Sequence, residues 1–152
     1  MNPPEFSGSY PYHVDEKGRT KLPPLFAAAL GASFIATRGL DGCIWLLPHS
    51  EWQRLVEPLQ PGTFGTRATR RLQRFFIGGA VECSLDAQGR LSLPAALRNY
   101  AGIQAEILIA GVGPWVEVWS RQRWSAEAET LDATEVDELL RSARLEGTGQ
   151  RA

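Results

Sequence analysis

Apolar residues along this chain fall into short alternating runs broken by glycine and proline, with a few stretches at helical spacing. Residues 10–14, YPYHV, are aromatic and β-branched enough for a short strand. Asp15-Glu16-Lys17-Gly18 reads as a turn, because Asp accepts hydrogen bonds from nearby backbone N–H groups and Gly takes positive φ. Arg19 to Leu22 alternates and reads as a second short strand. Pro23 and Pro24 suit the first turn of a helix, where no intrahelical bond is lost; that helix reaches about Leu30 and stops at Gly31. Ser33–Thr37 and Cys43–Leu47 read as strands around a Gly39/Gly42 turn. Ser50 is placed to cap a helix carrying Trp52, Leu55 and Val56.

Gln60-Pro61-Gly62-Thr63-Phe64-Gly65 punctuates the middle of the chain. Over Thr66–Ile77, Arg67, Arg70, Arg71 and Arg74 recur at helical spacing, and Leu72, Phe75 and Phe76 supply an apolar side. An amphipathic helix ended by Gly78-Gly79 is predicted there. The first order of elements then returns: a strand over 80–85, a turn, a strand over 90–93, a helix over 95–101, strands over 106–110 and 115–119, and a helix from about 121. A last helix, capped by Asp132 or Thr134, runs through Leu145 with Val136, Leu139, Leu140 and Ala143 on one face.

That recurrence is visible residue by residue. Residues 15–23 read DEKGRTKLP and residues 86–94 read DAQGRLSLP, so Asp-x-x-Gly-Arg-x-x-Leu-Pro occurs twice. The flanks agree: Leu30-Gly31 matches Ala101-Gly102, and Ile44-Trp45-Leu46-Leu47 before Trp52 matches Val116-Glu117-Val118-Trp119 before Trp124. An internal duplication follows. Each half has few core residues for its length, so the two are expected to share one core about a pseudo-two-fold axis, interleaving their strands into a compact β-barrel.

Composition narrows the function classes. With 152 residues, 43% hydrophobic, the chain suffices for one normal domain or two small lobes. No run of 18 apolar residues exists, and Met1–Glu5 lacks the charged and apolar regions of a signal peptide, so a cytosolic location is expected. Cys43 and Cys83 read as reduced, buried, small apolar side chains. With no Cys-x-x-Cys pair and only His13 and His49, no metal site or cofactor is expected. The net charge of −1 hides an asymmetry: residues 1–124 hold 13 Lys/Arg against 10 Asp/Glu, and residues 125–152 hold 3 against 7. A mildly basic body thus carries an acidic tail.

The duplicated motif has two readings. In the structural one, Gly18 and Gly89 permit a tight turn, Asp15 and Asp86 tie its backbone, and Arg19 and Arg90 pair with a nearby acid. In the functional one, the turns present basic groups at one end of the fold, since the arginine fork suits phosphate oxygens or guanine O6/N7. Lys17 and Lys21 add charge at the first turn, whereas Gln88 and Ser92 stand there in the second. The Arg67/Arg70/Arg71/Arg74 stripe reads either as a solvated or subunit-pairing face, with the acidic tail of a neighbouring chain as a candidate partner, or as a DNA contact. Trp45, Trp52, Trp115, Trp119 and Trp124 read as core or interface packing, with base stacking as the other option; His13 reads as structural. No nucleophile–base–acid set, P-loop or calcium loop is apparent, which argues against an enzyme.

These motifs together resemble the MraZ family of bacterial transcriptional regulators, which carry two SpoVT-AbrB-type domains. The resemblance rests on Phe6-Ser7-Gly8 followed by Val14 to Arg19, on Arg71-Leu72-Gln73-Arg74-Phe75-Phe76, on Ala80 to Leu91, and on Trp119 and Trp124, and it spans about residues 6–125. Ser7 and Thr20-Lys21 depart from the family pattern. The resemblance implies an α+β fold, a pseudo-two-fold β-barrel of two swapped-hairpin AbrB-like half-domains with flanking helices. The domains would be 8–54 and 80–124, with an Arg-rich linking helix at 55–79 and an acidic helix and tail at 125–152. It further implies a ring-shaped homo-oligomer that binds short direct repeats in double-stranded DNA. The target is the promoter of the division and cell-wall gene cluster, its own included, and the usual role is repressor. Arg19 with Lys17, joined by Lys21, and Arg90 are the DNA-contact candidates; Asp15, Gly18, Asp86 and Gly89 shape the motif. Such a protein would sit in the cytoplasm on the nucleoid, with no membrane partner. An alternative is a non-catalytic interaction module of antitoxin type acting through the acidic C-terminal helix.

Overall fold

The computed structural model describes residues 6–60 and 62–151. Met1–Glu5, on which the expectation about a signal peptide bears, lie outside the described residues, as does Pro61 of the mid-chain break. The chain divides into two compact units, one ending at Arg121 and the other starting at Gln122.

The first unit runs β1 (Phe6–His13), β2 (Arg19–Lys21), α1 (Pro24–Leu30), β3 (Phe34–Arg38), β4 (Ile44–Leu47), α2 (His49–Val56) and α3 (Arg67–Leu72), which continues as a π-helical turn over Gln73–Ile77. Then follow β5 (Val81–Cys83), β6 (Arg90–Ser92), α4 (Ala95–Ala101), β7 (Glu106–Gly113) and β8 (Val116–Ser120). Strand, strand, helix, strand, strand therefore occurs in both halves. β1 starts at Phe6 rather than Tyr10 because its pairing with β7 extends to Phe6↔Gly113. Ser50 does not cap α2; it lies inside the helix, which starts at His49 behind Pro48 with no side-chain cap. Thr66 does cap α3, its Oγ1 accepting from Thr69 N at 3.2 Å. The Arg-rich segment is not one regular α-helix: Gly78 N reaches Gln73 O at 2.9 Å and closes the wider turn.

Six strands form an antiparallel sheet in the order β1-β7-β8-β4-β3-β5, and β2 and β6 pair separately. The six-strand order is a palindrome of the duplication, with β1 matching β5, β7 matching β3 and β8 matching β4. The register agrees: Ile44↔Val118, Trp45↔Glu117 and Leu46↔Val116 pair across the middle. The first strand of each half lies in the other half, β1 on β7 and β5 on β3. The result is a mixed α/β fold on an open antiparallel sheet, not the closed β-barrel expected. β1 and β5 remain edges because the two strands left over, each of three residues, pair with one another instead of closing the sheet.

Strand alternation gives the sheet two covered faces. Phe34, Ala36, Ile44, Leu46, Ile107, Ile109, Val116 and Val118 join Phe26 and Leu30 of α1, Leu97 of α4, and Leu22, Leu91 and Leu93 at the ribbon in one core. On the opposite face Thr37 Oγ1 donates to Phe76 O at 2.6 Å, and Trp45 stacks on Phe76 with ring centroids 5.8 Å apart. The β2–β6 ribbon and the Arg-rich helix therefore lie on opposite faces of the sheet.

α5 (Arg121–Glu127) begins at the junction and α6 (Ala133–Arg151) fills most of the second unit. Asp132 caps α6, its Oδ1 accepting from Glu135 N at 2.9 Å. Among the described residues no helix is long and apolar enough to cross a membrane.

Candidate nucleic-acid interface

The two motif turns share one geometry. Asp15 N donates to Arg19 O at 2.9 Å and Gly18 N to Asp15 O at 3.0 Å; Asp86 N donates to Arg90 O and Gly89 N to Asp86 O, both at 2.9 Å. Each Asp side chain closes its loop. Asp15 Oδ1 accepts from Lys17 N and Arg19 N, and Oδ2 from Arg19 Nε, all at 2.9 Å. Asp86 Oδ1 accepts from Gln88 N and Arg90 N at 2.9 Å, and Oδ2 from Arg90 Nε at 2.8 Å. Gly18 and Gly89 have φ of +80° and +75°, which a side chain at these corners would strain. The Arg19 backbone N–H, ahead of the guanidinium and the Lys17 N–H, holds the Asp15 carboxyl below its ordinary range despite partial desolvation. Arg90 and Gln88 act likewise on Asp86.

Asp-x-x-Gly-Arg is thus a structural clasp that also fixes the orientation of its arginine. The carboxylate takes only the Nε of each arginine. The terminal guanidinium nitrogens of Arg19 and Arg90 have no partner among the described residues, and the two side chains keep 27% and 28% of their exposure. One edge of each fork is fixed and the other is left outward.

The ribbon then brings the two clasps together. Arg19↔Ser92, Thr20↔Leu91 and Lys21↔Arg90 are paired, so the motif's pseudo-two-fold axis passes through Thr20 and Leu91. Thr20 and Leu91 point into the core. Arg19, Lys21, Arg90 and Ser92 consequently share the outer face. Three of four outward positions are basic, and Lys21 stands directly across from Arg90, a like-charge pair that the Asp86 carboxylate on Arg90 Nε offsets in part. Lys17 is exposed at the tip of the first loop and Gln88 at the tip of the second. Thr20, a departure from the family pattern, meets its burial by donating Oγ1 to Lys21 O at 2.9 Å.

Sequence reasoning did not single out Arg98. Its guanidinium lies over Gly18, where a Cβ would come within 2.9 Å of Cζ, while Gly89 has nothing within 4 Å. Nε of Arg98 donates to Leu93 O at 2.9 Å, and Leu93 N donates to Gly18 O at 2.9 Å. The matching position in the first half is Ala27, so only the first loop gains this cation. The one available signal was that Arg98 is the sole charged residue of its helix.

The duplication also appears in comparison with known proteins. A family model described as "MraZ protein, putative antitoxin-like" matches residues 6–75 and again 76–142. The chain belongs to the MraZ family. A relative from Heliobacterium modesticaldum is 46% identical over 120 residues, covering 79% of this chain and 84% of its own length. One from Syntrophomonas wolfei is 46% identical over 129 residues, covering 85% and 90%, and one from Desulfitobacterium hafniense is 43% identical over 138 residues, covering 89% and 96%. All three relatives bear the name Transcriptional regulator MraZ.

In this MraZ chain the other candidates separate from the ribbon. Arg67, Arg71 and Arg74 are exposed on the far face of the sheet. Three of the tryptophans pack together: Trp45 lies 4.6 Å from Trp115 between ring centroids, and the Trp45 and Trp119 indoles donate to the two Glu117 oxygens at 2.9 and 3.0 Å. Cys43 and Cys83 are free and buried, and burial pushes both thiols up, which keeps them unreactive. His13 is exposed at the end of β1. The fold does join a serine, a histidine and an acid that the sequence left apart: Ser33 Oγ lies 3.0 Å and Glu82 Oε1 3.4 Å from His49 Nε2. Both contacts use the same ring nitrogen, so the acid cannot orient the ring from Nδ1 as a hydrolase triad requires. The cluster links α2 to Ser33, just ahead of β3, and to Glu82 in the middle of β5.

Proposed function

We propose that this chain is a DNA-binding transcriptional regulator whose reading head is the β2–β6 ribbon with its two Asp-x-x-Gly-Arg loops. The observation that carries this reading is the shared basic face: Arg19, Lys21 and Arg90 point outward together, with Lys21 across from Arg90 and each arginine fork held at one edge only, by Asp15 and Asp86. A two-stranded ribbon fits the width of the major groove. The clasp holds each fork in orientation, which favours base reading over loose charge attraction. The name borne by the relatives supports the regulator role.

The finer reading follows the family resemblance. Lys17, Arg19 and Lys21 form the stronger half of each head and Arg90 the weaker, with Arg98 adding charge beside the first loop. One head makes few phosphate contacts and binds weakly. Several heads on one ring-shaped homo-oligomer engage direct repeats at high effective concentration. The target is the promoter of the division and cell-wall cluster, including the chain's own, and the outcome is repression in the nucleoid-bound cytoplasmic protein. The swapped half-domains at 8–54 and 80–124 act as one head, joined by the 55–79 segment. A second reading, an interaction module of antitoxin type, draws on one observation: α6 is exposed from Ala133 to Arg144.

The test is binding of wild type, Arg19→Ala and Arg90→Ala to DNA from upstream of the chain's own gene at two salt concentrations. The proposal expects binding that weakens with salt and is lost in Arg19→Ala. Normal binding by both variants would overturn the ribbon assignment. No wild-type binding to that DNA would end the self-regulation reading and favour the interaction module.

A further inference from the structure

The ribbon leaves a second charged surface unused. Residues 58–81 contain no acidic residue, and four arginines fall within them. Arg70 gives Nη1 to Gly65 O at 3.0 Å, but Arg67, Arg71 and Arg74 make no side-chain hydrogen bond or ion pair among the described residues. Arg67 and Arg71, like Arg70 and Arg74, are four apart, where like charges destabilise a helix. Arg70, Arg74 and Ile77 line a groove of about 450 Å³, and Leu72 and Ile77 are exposed on the same segment.

The second unit carries the opposite pattern. Residues 125–140 hold six acids and no base. Every residue of α6 from Ala133 to Arg144 is exposed, Leu139 at 55%. Glu127, Leu131, Glu135, Glu138, Leu139 and Ser142 line a groove of about 530 Å³. Glu127, Glu135 and Glu138 make no ion pair among the described residues. Helices with exposed apolar side chains take most of their stability from packing.

We propose that the acidic groove of the second unit docks onto the arginine stripe of α3 on another copy of this chain. Glu127, Glu135 and Glu138 would face Arg67, Arg71 and Arg74, and Leu131 and Leu139 would cover Leu72 and Ile77. A second copy is the occupant that uses both surfaces. DNA would satisfy the arginines but leave Leu72, Ile77 and the whole acidic helix uncovered. A basic partner would satisfy α6 and leave the arginines. The two docking surfaces differ, so the contact is head-to-tail and propagates around a ring or along a filament. The inference rests on the oligomer part of the proposed function and is independent of the DNA contact.

The test uses charge reversal in the full chain, read by size exclusion with light scattering. Wild type should assemble at low salt. Arg71→Glu with Arg74→Glu, and separately Glu135→Arg with Glu138→Arg, should each lose the assembled species while keeping wild-type circular dichroism. Mixed in equal amounts, the two reversed chains should regain it, because each supplies the surface the other needs; a misfolded variant would not. A wild type that is monomeric throughout overturns this proposal together with the ring. An assembled wild type unaffected by either reversal, or reversed chains that lose DNA binding alone, overturns the docking surface and leaves the ring standing.

Discussion

The two loops differ in one contact, and that contact sets an unequal cost for the same substitution. Ala at position 18 or 89 must adopt a φ near +80° or +75°. The left-handed region costs a non-glycine residue about 1–2 kcal/mol. At Gly89 that is the whole effect, because nothing lies within 4 Å of the new Cβ. At Gly18 the Cβ would sit 2.9 Å from Arg98 Cζ and 3.0 Å from its Nε. The guanidinium is the end of a flexible chain and moves, but it gives up the 2.9 Å bond to Leu93 O, worth about 1 kcal/mol. Gly18→Ala should therefore destabilise by about 1 kcal/mol more than Gly89→Ala. Urea unfolding with an unchanged m-value measures this directly. In an Arg98→Ala background the difference should vanish. Equal costs for the two glycines, or a difference that survives loss of Arg98, would refute the reasoning.

Other outcomes follow from the same geometry. Lys17→Ala should weaken binding to all DNA sequences alike and reduce the salt slope by about one, whereas Arg19→Ala should lose binding to the specific duplex and keep only the weak non-specific affinity it shows for a scrambled one, measured by titrations against both. The Asp15 and Asp86 carboxyls lie below their ordinary range in the fold, so their stabilisation is full above the unfolded value near pH 4 and fades as pH falls through the folded values. Asp15→Asn with Asp86→Asn should flatten that acid limb in unfolding experiments at stepped pH. Leu91→Ala removes a fully buried side chain from beneath the ribbon and should cost about 2–5 kcal/mol by the same urea assay. Thr37→Val leaves Phe76 O without its buried donor and should cost about 1–3 kcal/mol.

Much of this was legible because the motif is local. Asp-x-x-Gly-Arg specifies its own turn, and Gly18, Gly89 and the two Asp side chains do what their chemistry predicts. The pairing of the leftover strands was not legible. Arg19–Lys21 and Arg90–Ser92 are too short to declare a partner, and their register depends on contacts between halves that sequence order does not reveal. Closure of the barrel was expected from the repeat and fails for the same reason. The start of α2 differs because the helix begins at His49, behind Pro48 and without a side-chain cap, so the serine signal at Ser50 misled. Arg98 was invisible because its role comes from lying over Gly18, far away in sequence. The His49 cluster likewise draws on Ser33, His49 and Glu82 from separated elements.

The central claim is that the ribbon, and not the arginine helix on the opposite face, meets DNA. Hydrogen–deuterium exchange of the full chain, with and without DNA from its own upstream region, tests it most directly. The account predicts slowed exchange over residues 15–23 and 86–94 with residues 66–77 unchanged by DNA. Protection confined to residues 66–77, with both loops exchanging as in the free protein, would contradict it.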